Sequence, residues 1–386
     1  MSEALSVISE EYGVAKAVSH QTVSDWVKTA GLAMYKEDRG MIRDCKMKYS
    51  FVVDESITIG SQKLLLVLAI PAGCPGHALR HEDVKVVGIF VERSWKAEDV
   101  AGRLREIVDE IGYKPEYVLS DNGHNLVKAA SDLEIPHHRD IGHTLGLFLE
   151  EAYDDDKMFN EFKELMRKAR LQYHLTGEAF LLPPKQRAMA RFMNLFSWVD
   201  WAVRLLLNYN QLTEEQKLAF AFVPAHRDLI LELAQAMECY THVMQRVKNE
   251  GLSIRLCREL RDYIVSNHIY PGNLRLTRIM MKVWDYLKAE AALLKPGETH
   301  NLSSDIIESI FGIFKQKKSP NHLYGVTPFV LFIPAHTAIV GMHDTKSVDF
   351  MRIFSDYHNK EVDDWKVKNL KENWVRTRTK TLAKAG

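Results

Sequence analysis

The sequence predicts an α/β protein with a mixed five-stranded sheet, a large all-α insertion and an N-terminal helix-turn-helix. Short apolar runs bounded by polar residues, which are typical of buried strands, occur between residues 48 and 141. Residues 143–300 contain almost no strand signal, and their apolar residues recur at helical spacing. Residues 9–32 show two short helical patterns joined by a tight turn.

The composition of the 386-residue chain is that of an ordinary globular protein. A hydrophobic share of 46% supports two or three domains, or one core with a large insertion. The net charge is zero, so any DNA-binding surface must come from local patches. Four cysteines without CxxC spacing indicate reduced thiols rather than a zinc site or disulfides. The sequence has neither a signal-peptide pattern nor an apolar run of roughly 18 residues, so we expect a cytoplasmic protein without a membrane partner.

In the N-terminal motif, residues 9–16 are predicted to form the first helix, residues 17–19 the turn and residues 21–29 the second helix. Ser19 offers an N-cap, and Gly31 is predicted to end the second helix. Apolar Val18, Val23 and Trp26 can pack the two helices together. The polar residues expected to face a DNA major groove are His20, Gln21, Ser24, Asp25 and Lys28. Two short helices are also a common core element, so a structural role stays open.

The remaining predicted elements alternate between strands and helices. Strands are predicted at residues 48–57, 62–70, 84–92, 117–120 and near 136–141, with helices over Ala97–Ile111 and Gly123–Leu133. This βββαβαβα order is that of the ribonuclease H-like fold. In that topology the end of the first strand lies beside the end of the fourth.

Three acidic residues occupy positions that a two-metal site would need. Asp54 and Asp121 each close an apolar run, and Glu308 lies in a helical pattern. Carboxylates at adjacent strand ends and on one covering helix can converge to hold two Mg²⁺ ions. An Asp that follows a strand also commonly caps the next turn, which is the alternative for each Asp alone.

These positions divide the chain into five predicted segments. They are residues 1–40 (helix-turn-helix), 46–150 (first part of the core), 151–300 (all-helical insertion), 301–342 (Glu308 helix and end of the core) and 343–386 (helical basic tail). The tail from residue 365 onward carries seven cations, Lys366, Lys368, Lys371, Arg376, Arg378, Lys380 and Lys384, against one acid, Glu372. The sequence leaves two interpretations of this segment: it contacts phosphates, or it is a disordered, solvated tail.

The segment SDNGHNLVKAASDLEIPHHRDIGHTLGL resembles the region around the second catalytic Asp in the hAT group of DDE transposases. There an Asp-Asn pair, here Asp121-Asn122, opens a helix, and a C-x-x-H-x-L element follows. That element corresponds here to residues 140–145, with Asp140 at the Cys position. The resemblance implies that His143 touches the scissile phosphate region. The alternative is that the His143 side chain only makes hydrogen bonds at the N-terminus of a helix.

The helix with Glu308 is similar to bacterial insertion-sequence transposases with a Y-x2-R-x3-E-x6-K signature. Glu308 and Lys315 match its last two members, whereas Asn301 and Ser304 replace Tyr and Arg. Seven residues are close to two helical turns, so Glu308 and Lys315 share one face. Lys315 is therefore expected to hold a DNA phosphate. The neighbouring cations expected to reinforce it are Lys317 and Lys318.

Residues 191–194 of the insertion are similar to an Arg-Trp-x-Ser-like element of the hAT group, and Trp198 and Trp201 follow. Related transposases stack an insertion-domain Trp on a flipped base, which implies such a role for Trp198. Because most Trp side chains are largely buried, core packing is the favoured alternative for both.

Together these resemblances imply a DNA transposase that cleaves and transfers strands at the ends of a mobile element. Asp54, Asp121 and Glu308 would bind two Mg²⁺ ions, with Mn²⁺ able to substitute. The implied partners are double-stranded DNA, as element ends and target, and further copies of the chain in a dimer or larger assembly. The implied location is the bacterial cytoplasm, at the nucleoid. The alternatives are a domesticated or inactive transposase that only binds DNA, and a ribonuclease H-like nuclease.

Overall fold

The computed structural model describes residues 18–56, 58–59, 61–185, 195–269, 271–318, 325–340 and 348–385. The chain divides into two compact units. Met1–His138 and Ser303–Gly386 form the first, called here the sheet unit, and Arg139–Leu302 form the second, called the helical unit.

Five strands form one mixed sheet. They are β1 (Tyr49–Glu55), β2 (Lys63–Pro71), β3 (Lys85–Glu92), β4 (Val118–Ser120) and β5 (His137–Arg139). Their order across the sheet is β3-β2-β1-β4-β5. Strand β2 is antiparallel to both β1 and β3, and β1 is parallel to β4. The predicted mixed five-stranded sheet is confirmed, and its strand order is compatible with a ribonuclease H-like fold.

The described helices fall into three groups along the chain. The first group is α1 (His20–Cys45), α2 (Ala97–Ile111) and α3 (His124–Asp132). The helical unit contains α4 (Ile141–Tyr153), α5 (Lys157–Tyr173), α6 (Leu195–Asn208), α7 (Glu214–Ala219), α8 (Phe222–Ala225), α9 (Arg227–Glu250), α10 (Ile254–Asn267) and α11 (Leu274–Ala291). The sheet unit resumes with α12 (Asp305–Lys317), α13 (Phe332–Val340), α14 (Phe350–Asp356), α15 (Asn359–Asn369) and α16 (Trp374–Ala385). Within the described residues, no helix is long and apolar enough to cross a membrane.

The alternation of side chains along β2 separates two cores, one on each face of the sheet. Leu64 and Leu66 pack into a core with Ile307 and Phe311 of α12, and this side is called the α12 face. Leu65 and its alternate neighbours pack on the other side, against α2 and α3. Burial on both faces explains why the β2 sequence is continuously apolar.

Helix α1 is longer than the sequence predicted. Ser19 caps its start by accepting a hydrogen bond from Thr22 N, as expected. The prediction that Gly31 ends the helix is wrong, because α1 continues to Cys45. A Cβ at position 31 would lie 1.9 Å from the carbonyl oxygen of Leu331, so Gly31 permits close packing and does not stop the helix. The first predicted helix of the motif, residues 9–16, lies outside the described residues.

Strand β3 is an edge of the sheet, and side chains of α1 occupy part of that edge. Val86 N donates to Asp38 Oδ2 at 2.9 Å, and Arg39 Nε donates to Val87 O at 2.7 Å. Near the other end of the strand, a backbone N–H of the segment after α15 donates to Val91 O. Such bonds satisfy groups that would otherwise pair with a foreign strand. The C-terminal half of α1 is therefore part of the sheet unit's architecture.

Candidate active site

Asp54 is the first charged side chain of β1, after the buried run that ends at Val53. Side chains two residues apart point to the same face of a strand, so Asp54 shares the face of Val52. Val52 belongs to the core on the α12 face. Asp54 is half-buried and therefore lies where the apolar surface under α12 ends.

Asp121 follows β4 directly, and the pairing of β1 with β4 sets it beside Asp54. Phe51 pairs with Val118 and Val52 with Leu119 in parallel register. The same offset of 67 residues aligns Asp54 with Asp121. Neighbouring strands lie about 4.8 Å apart, so the two strand ends adjoin. Asp121 also has a local role, because its Oδ1 accepts a hydrogen bond from Gly123 N at 2.8 Å.

Helix α12 brings Glu308 and Lys315 over the same face of the sheet. Its buried side, which includes Ile307 and Phe311, packs on the α12 face, and the helix contacts β1. Glu308 is exposed and Lys315 is half-buried. Gly312 lies between them on that side of the helix, and a Cβ added there would meet nothing within 4 Å. The helix therefore has open space between the carboxylate and the ammonium group.

The electrostatics of Lys315 connect the helix to the strand. Burial lowers the pKa of Lys315, while the charges of Asp54 and Glu308 act in the opposite direction. Nearby Lys318 lowers the pKa further. The ammonium group also lies 5.6 Å from the centre of the Phe311 ring. Asp54 and Glu308, far apart in sequence, thus share one cationic neighbour.

Glu55, the neighbour of Asp54, lies in a different environment. It points to the opposite face of the sheet, where Lys63 Nζ lies 3.0 Å from its Oε2. Asn125 Nδ2 donates a hydrogen bond to its other oxygen. These partners on both oxygens give Glu55 a structural role and leave Asp54 as the β1 carboxylate on the α12 face.

The carboxylates supply the oxygen donors that Mg²⁺ prefers. Asp54 and Asp121 are aligned by the register of two paired strands, and Glu308 lies on the helix that covers the α12 face. Within the described ranges, no three His, Cys, Asp or Glu side chains are gathered closely enough to hold a metal ion. The donor chemistry and the alignment of the two strand ends therefore fit the predicted metal, whereas a formed set of three ligands is not seen among the described residues.

His143 belongs to the helical unit, in the first turn of α4. Its backbone N donates to Asp140 Oδ1 at 2.7 Å, so Asp140 is the N-cap of this helix. Asp140 is buried, which fits such a capping role. A contact between His143 and DNA stays a prediction.

Trp198 does not have the position that base stacking requires. Its side chain is only 2% exposed and packs in the core of the helical unit. Trp201 is half-buried, and its Nε1 donates to Leu181 O at 2.8 Å. The stacking role predicted for Trp198 is therefore wrong, and the favoured alternative of core packing is confirmed. The Arg-Trp-x-Ser-like element, residues 191–194, lies outside the described residues.

The polar residues at the start of α1 are joined to one another. Gln21 Nε2 donates to Asp25 Oδ1 at 2.9 Å, and Lys28 Nζ lies 2.5 Å from the same oxygen. Asp25 thus neutralises the nearest cation, and its pKa is lowered chiefly by the hydrogen bond from Lys28. Lys28 and Ser24 are half-buried. The groove-facing role of this set stays a prediction.

Two features of the site were not predicted. Gly312 carries no charge and belongs to no motif, so the sequence analysis did not select it. Its helical spacing from Glu308 and Lys315 was the signal that could have identified it. The bond between Asn125 and Glu55 joins α3 to β1 across 70 residues, and no local pattern indicates it. No protein-family model matches the chain, and no curated protein matches it significantly.

Proposed function

We propose that this protein is a DDE-type DNA transposase, which cleaves and transfers DNA strands by phosphoryl transfer at Asp54, Asp121 and Glu308. One observation carries the proposal. Asp54 ends β1 on the sheet face that is covered by a helix with Glu308 and Lys315, and Asp121 directly follows the parallel neighbouring strand β4. A two-metal phosphoryl-transfer site needs acidic ligands that are distant in sequence and adjacent in the fold.

When bound, two Mg²⁺ or Mn²⁺ ions would activate the attacking oxygen and stabilise the leaving oxygen. Asp54 and Asp121 are the strand-end ligands of this proposal, and Glu308 is the ligand from the helix. Lys315, half-buried beside Asp54 and Glu308, would hold a phosphate of the cleaved strand. Lys317 and Lys318 would add positive potential at the end of the same helix.

The proposal assigns roles to the rest of the chain as well. The sheet unit would be a ribonuclease H-like core, and the helical unit its insertion between β5 and α12. The start of α1, with residues 9–17 before it, would recognise the element end. The substrates would be double-stranded element ends and target DNA, bridged by two or more copies of the chain.

The test uses DNA containing the sequences that flank the gene, with Mg²⁺ or Mn²⁺ added. Asp54→Asn, Asp121→Asn and Glu308→Gln should each reduce strand cleavage to background, because each removes a ligand charge, while DNA binding is largely kept. Cleavage is read on denaturing gels and binding by fluorescence anisotropy.

Two of the three substitutions have a neighbour as a matched control. Glu55→Gln adjoins Asp54 on the opposite sheet face, and Asp305→Asn lies one helical turn before Glu308. Both controls should cleave at close to the normal rate. Normal cleavage by Glu308→Gln together with loss in Asp305→Asn would transfer the third ligand to Asp305. Normal cleavage by Asp54→Asn would reject the proposal.

An alternative function is a domesticated transposase that binds DNA through an idle centre. The observation that favours it is that the described carboxylates are not gathered into a three-ligand group, while Lys315 supplies the positive charge beside two of them. Calorimetric titration with Mn²⁺ separates the two functions. Binding of Mn²⁺ that is lost in Asp54→Asn supports the transposase, and sequence-specific DNA binding without Mn²⁺ uptake supports the alternative.

A further inference from the structure

An open groove lies in the sheet unit between the edge strand β3 and the C-terminal helices. It has a volume of about 1010 Å³ and is called here the α16 groove. Its walls are the end of β3, Arg103 of α2, residues 326–328, and residues 366–373, 375, 379 and 380 of α15, α16 and their connection. The C-terminal region, for which a solvated tail was an open alternative, thus contributes helices to a shaped surface.

The lining of the α16 groove is positively charged although the chain as a whole is neutral. Five cations line it, Arg103, Lys366, Lys368, Lys371 and Lys380, against two carboxylates, Glu92 and Glu372. The two carboxylates pair with Lys371 and Lys380, while Arg103 pairs with Glu106 and Lys366 lies 3.9 Å from Asp363. Lys368 has no ion-pair partner within the described part of the chain and is exposed. A concave surface with such an excess of cations attracts a polyanion.

The floor of the groove is held rigidly by a buried glutamine. Gln62 is only 1% exposed; its Nε2 donates to Lys371 O, and its Oε1 accepts from Val326 N at 2.8 Å. Gly325 adopts a φ of 61°, and a Cβ there would lie 2.1 Å from Gln62 Oε1. The connection between α15 and α16 is therefore tied to the sheet, and the groove cations are presented on a preformed surface.

The groove lies at the same end of the sheet as the candidate active site. Glu92 at the end of β3 pairs with Lys63 at the start of β2, and β1 ends beside that start. Strand β3 is two strands from β1 and three from β4. Asp54 pairs with Leu66 and Leu66 with Ile89, so Glu92 lies three residues, or about 10 Å, further along the sheet than Asp54. With about 4.8 Å per strand across the sheet, the groove end of β3 is roughly 14 Å from Asp54 and 17 Å from the Asp121 strand end.

We infer that the α16 groove binds the phosphate backbone of the DNA arm next to the cleaved bond. The inference rests on the proposed function, since the active site defines the bond. A separation of roughly 14–17 Å corresponds to about four or five nucleotides at 3.4 Å per nucleotide along a strand. Contacts of this kind position DNA without reading its sequence.

The experiment compares two triple variants of the full chain. Lys368→Gln, Lys371→Gln and Lys380→Gln together neutralise the groove. Lys46→Gln, Lys48→Gln and Lys128→Gln remove three exposed lysines elsewhere in the sheet unit and form the matched control. Binding of a short duplex is measured by fluorescence anisotropy over a range of salt concentrations. The groove variant should bind about tenfold more weakly or worse at 0.1 M salt, with a salt slope reduced by up to about 0.9 per lost contact.

Neutral methylphosphonate linkages locate the contact on the DNA. A neutral linkage about four or five nucleotides from the cleaved bond should weaken binding of the unmodified protein and leave the groove variant unaffected. Thr379→Glu, which adds one negative charge to the groove lining, is a second variant that keeps all the lysines. It should also weaken binding, and its circular dichroism should match that of the unmodified protein.

Unchanged salt dependence in the groove variant, or an equal loss in the control variant, would overturn the inference. The proposed function fails separately, through normal cleavage by Asp54→Asn, because the groove experiment reads binding and not cleavage. Normal cleavage by Asp54→Asn together with a groove-specific binding loss would keep the groove as a DNA site and reject the transposase.

Discussion

At the scale of single residues, Asp38 shows how the fold uses a buried carboxyl group. It is 7% exposed, accepts a hydrogen bond from Val86 N and lies 3.7 Å from Lys85 Nζ. Burial raises its pKa from 3.8 to about 6, against the opposing effect of Lys85. The folded state therefore favours the protonated form. Its stabilising contribution is complete below pH 3.8 and is lost as the pH rises through 6.

Asp38→Asn tests this assignment. The amide is neutral at every pH and keeps an oxygen for Val86 N, so the variant should gain stability relative to the unmodified protein as the pH rises from 4 to 7. The gain is roughly 3 kcal/mol at most, at 1.36 kcal/mol per pKa unit, and loss of the Lys85 contact reduces it. Urea unfolding of both proteins across this range measures the difference. A difference that does not change with pH would show that Asp38 has an ordinary pKa.

At the scale of elements, α1 combines two roles that the sequence pattern did not separate. Its first turns carry the polar residues of the predicted DNA-binding helix, whereas its later turns place Leu32 and Tyr35 in the core on the α12 face. Removing the whole of residues 1–40 would therefore also remove core side chains and the Asp38 bond to β3. Recognition of DNA must be tested by substitutions on the surface of α1.

The triple variant Gln21→Ala, Ser24→Ala and Lys28→Ala provides that test. If the start of α1 reads the major groove, the variant should lose the sequence enrichment that the unmodified protein produces from a random duplex pool. Its circular dichroism should stay unchanged, because these side chains lie outside the core. Arg43→Ala, an exposed position at the other end of α1, is the control. Equal enrichment by the triple variant would move recognition to another part of the chain.

The strands and one long helix could be predicted from local patterns in the sequence. Apolar runs ended by polar residues located every strand to within two residues, and helical periodicity located Ala97–Ile111. Gly31 was misread, because the reason for that glycine is the distant Leu331 carbonyl. The bond from Val86 to Asp38 spans 48 residues, and that from Val326 to Gln62 spans 264. Contacts at such separations leave no local pattern in a single sequence.

For the candidate site, too, local sequence patterns predicted some features and not others. Strand order and the seven-residue spacing of Glu308 and Lys315 predicted one shared face, and α12 does pack on the face of the sheet that contains Val52. The burial of Trp198 could not be distinguished from a stacking role by spacing, since both uses place Trp on one face of a helix. The gathering of three carboxylates depends on side-chain positions within a few ångströms, which sequence periodicity does not determine.

At the scale of the whole molecule, the two units have separate hydrophobic cores. The core of the helical unit draws only on residues 141–302, whereas the cores of the sheet unit draw on the chain before His138 and after Ser303. Leu233 is 1% exposed in the core of the helical unit, and Leu66 is fully buried in a core of the sheet unit. A leucine truncated in either core should weaken the unit that contains it.

Leu233→Ala and Leu66→Ala form a reciprocal pair for testing this separation. Each leaves a buried cavity and should lower the free energy of unfolding of its own unit by about 2–5 kcal/mol. Hydrogen exchange read by mass spectrometry measures protection along the whole chain. Leu233→Ala should speed exchange in α9 and α11 while β2 keeps its protection. Leu66→Ala should speed exchange in β2 while α9 and α11 keep theirs. Faster exchange in β2 of the Leu233→Ala variant would show instead that the two cores unfold as one cooperative unit.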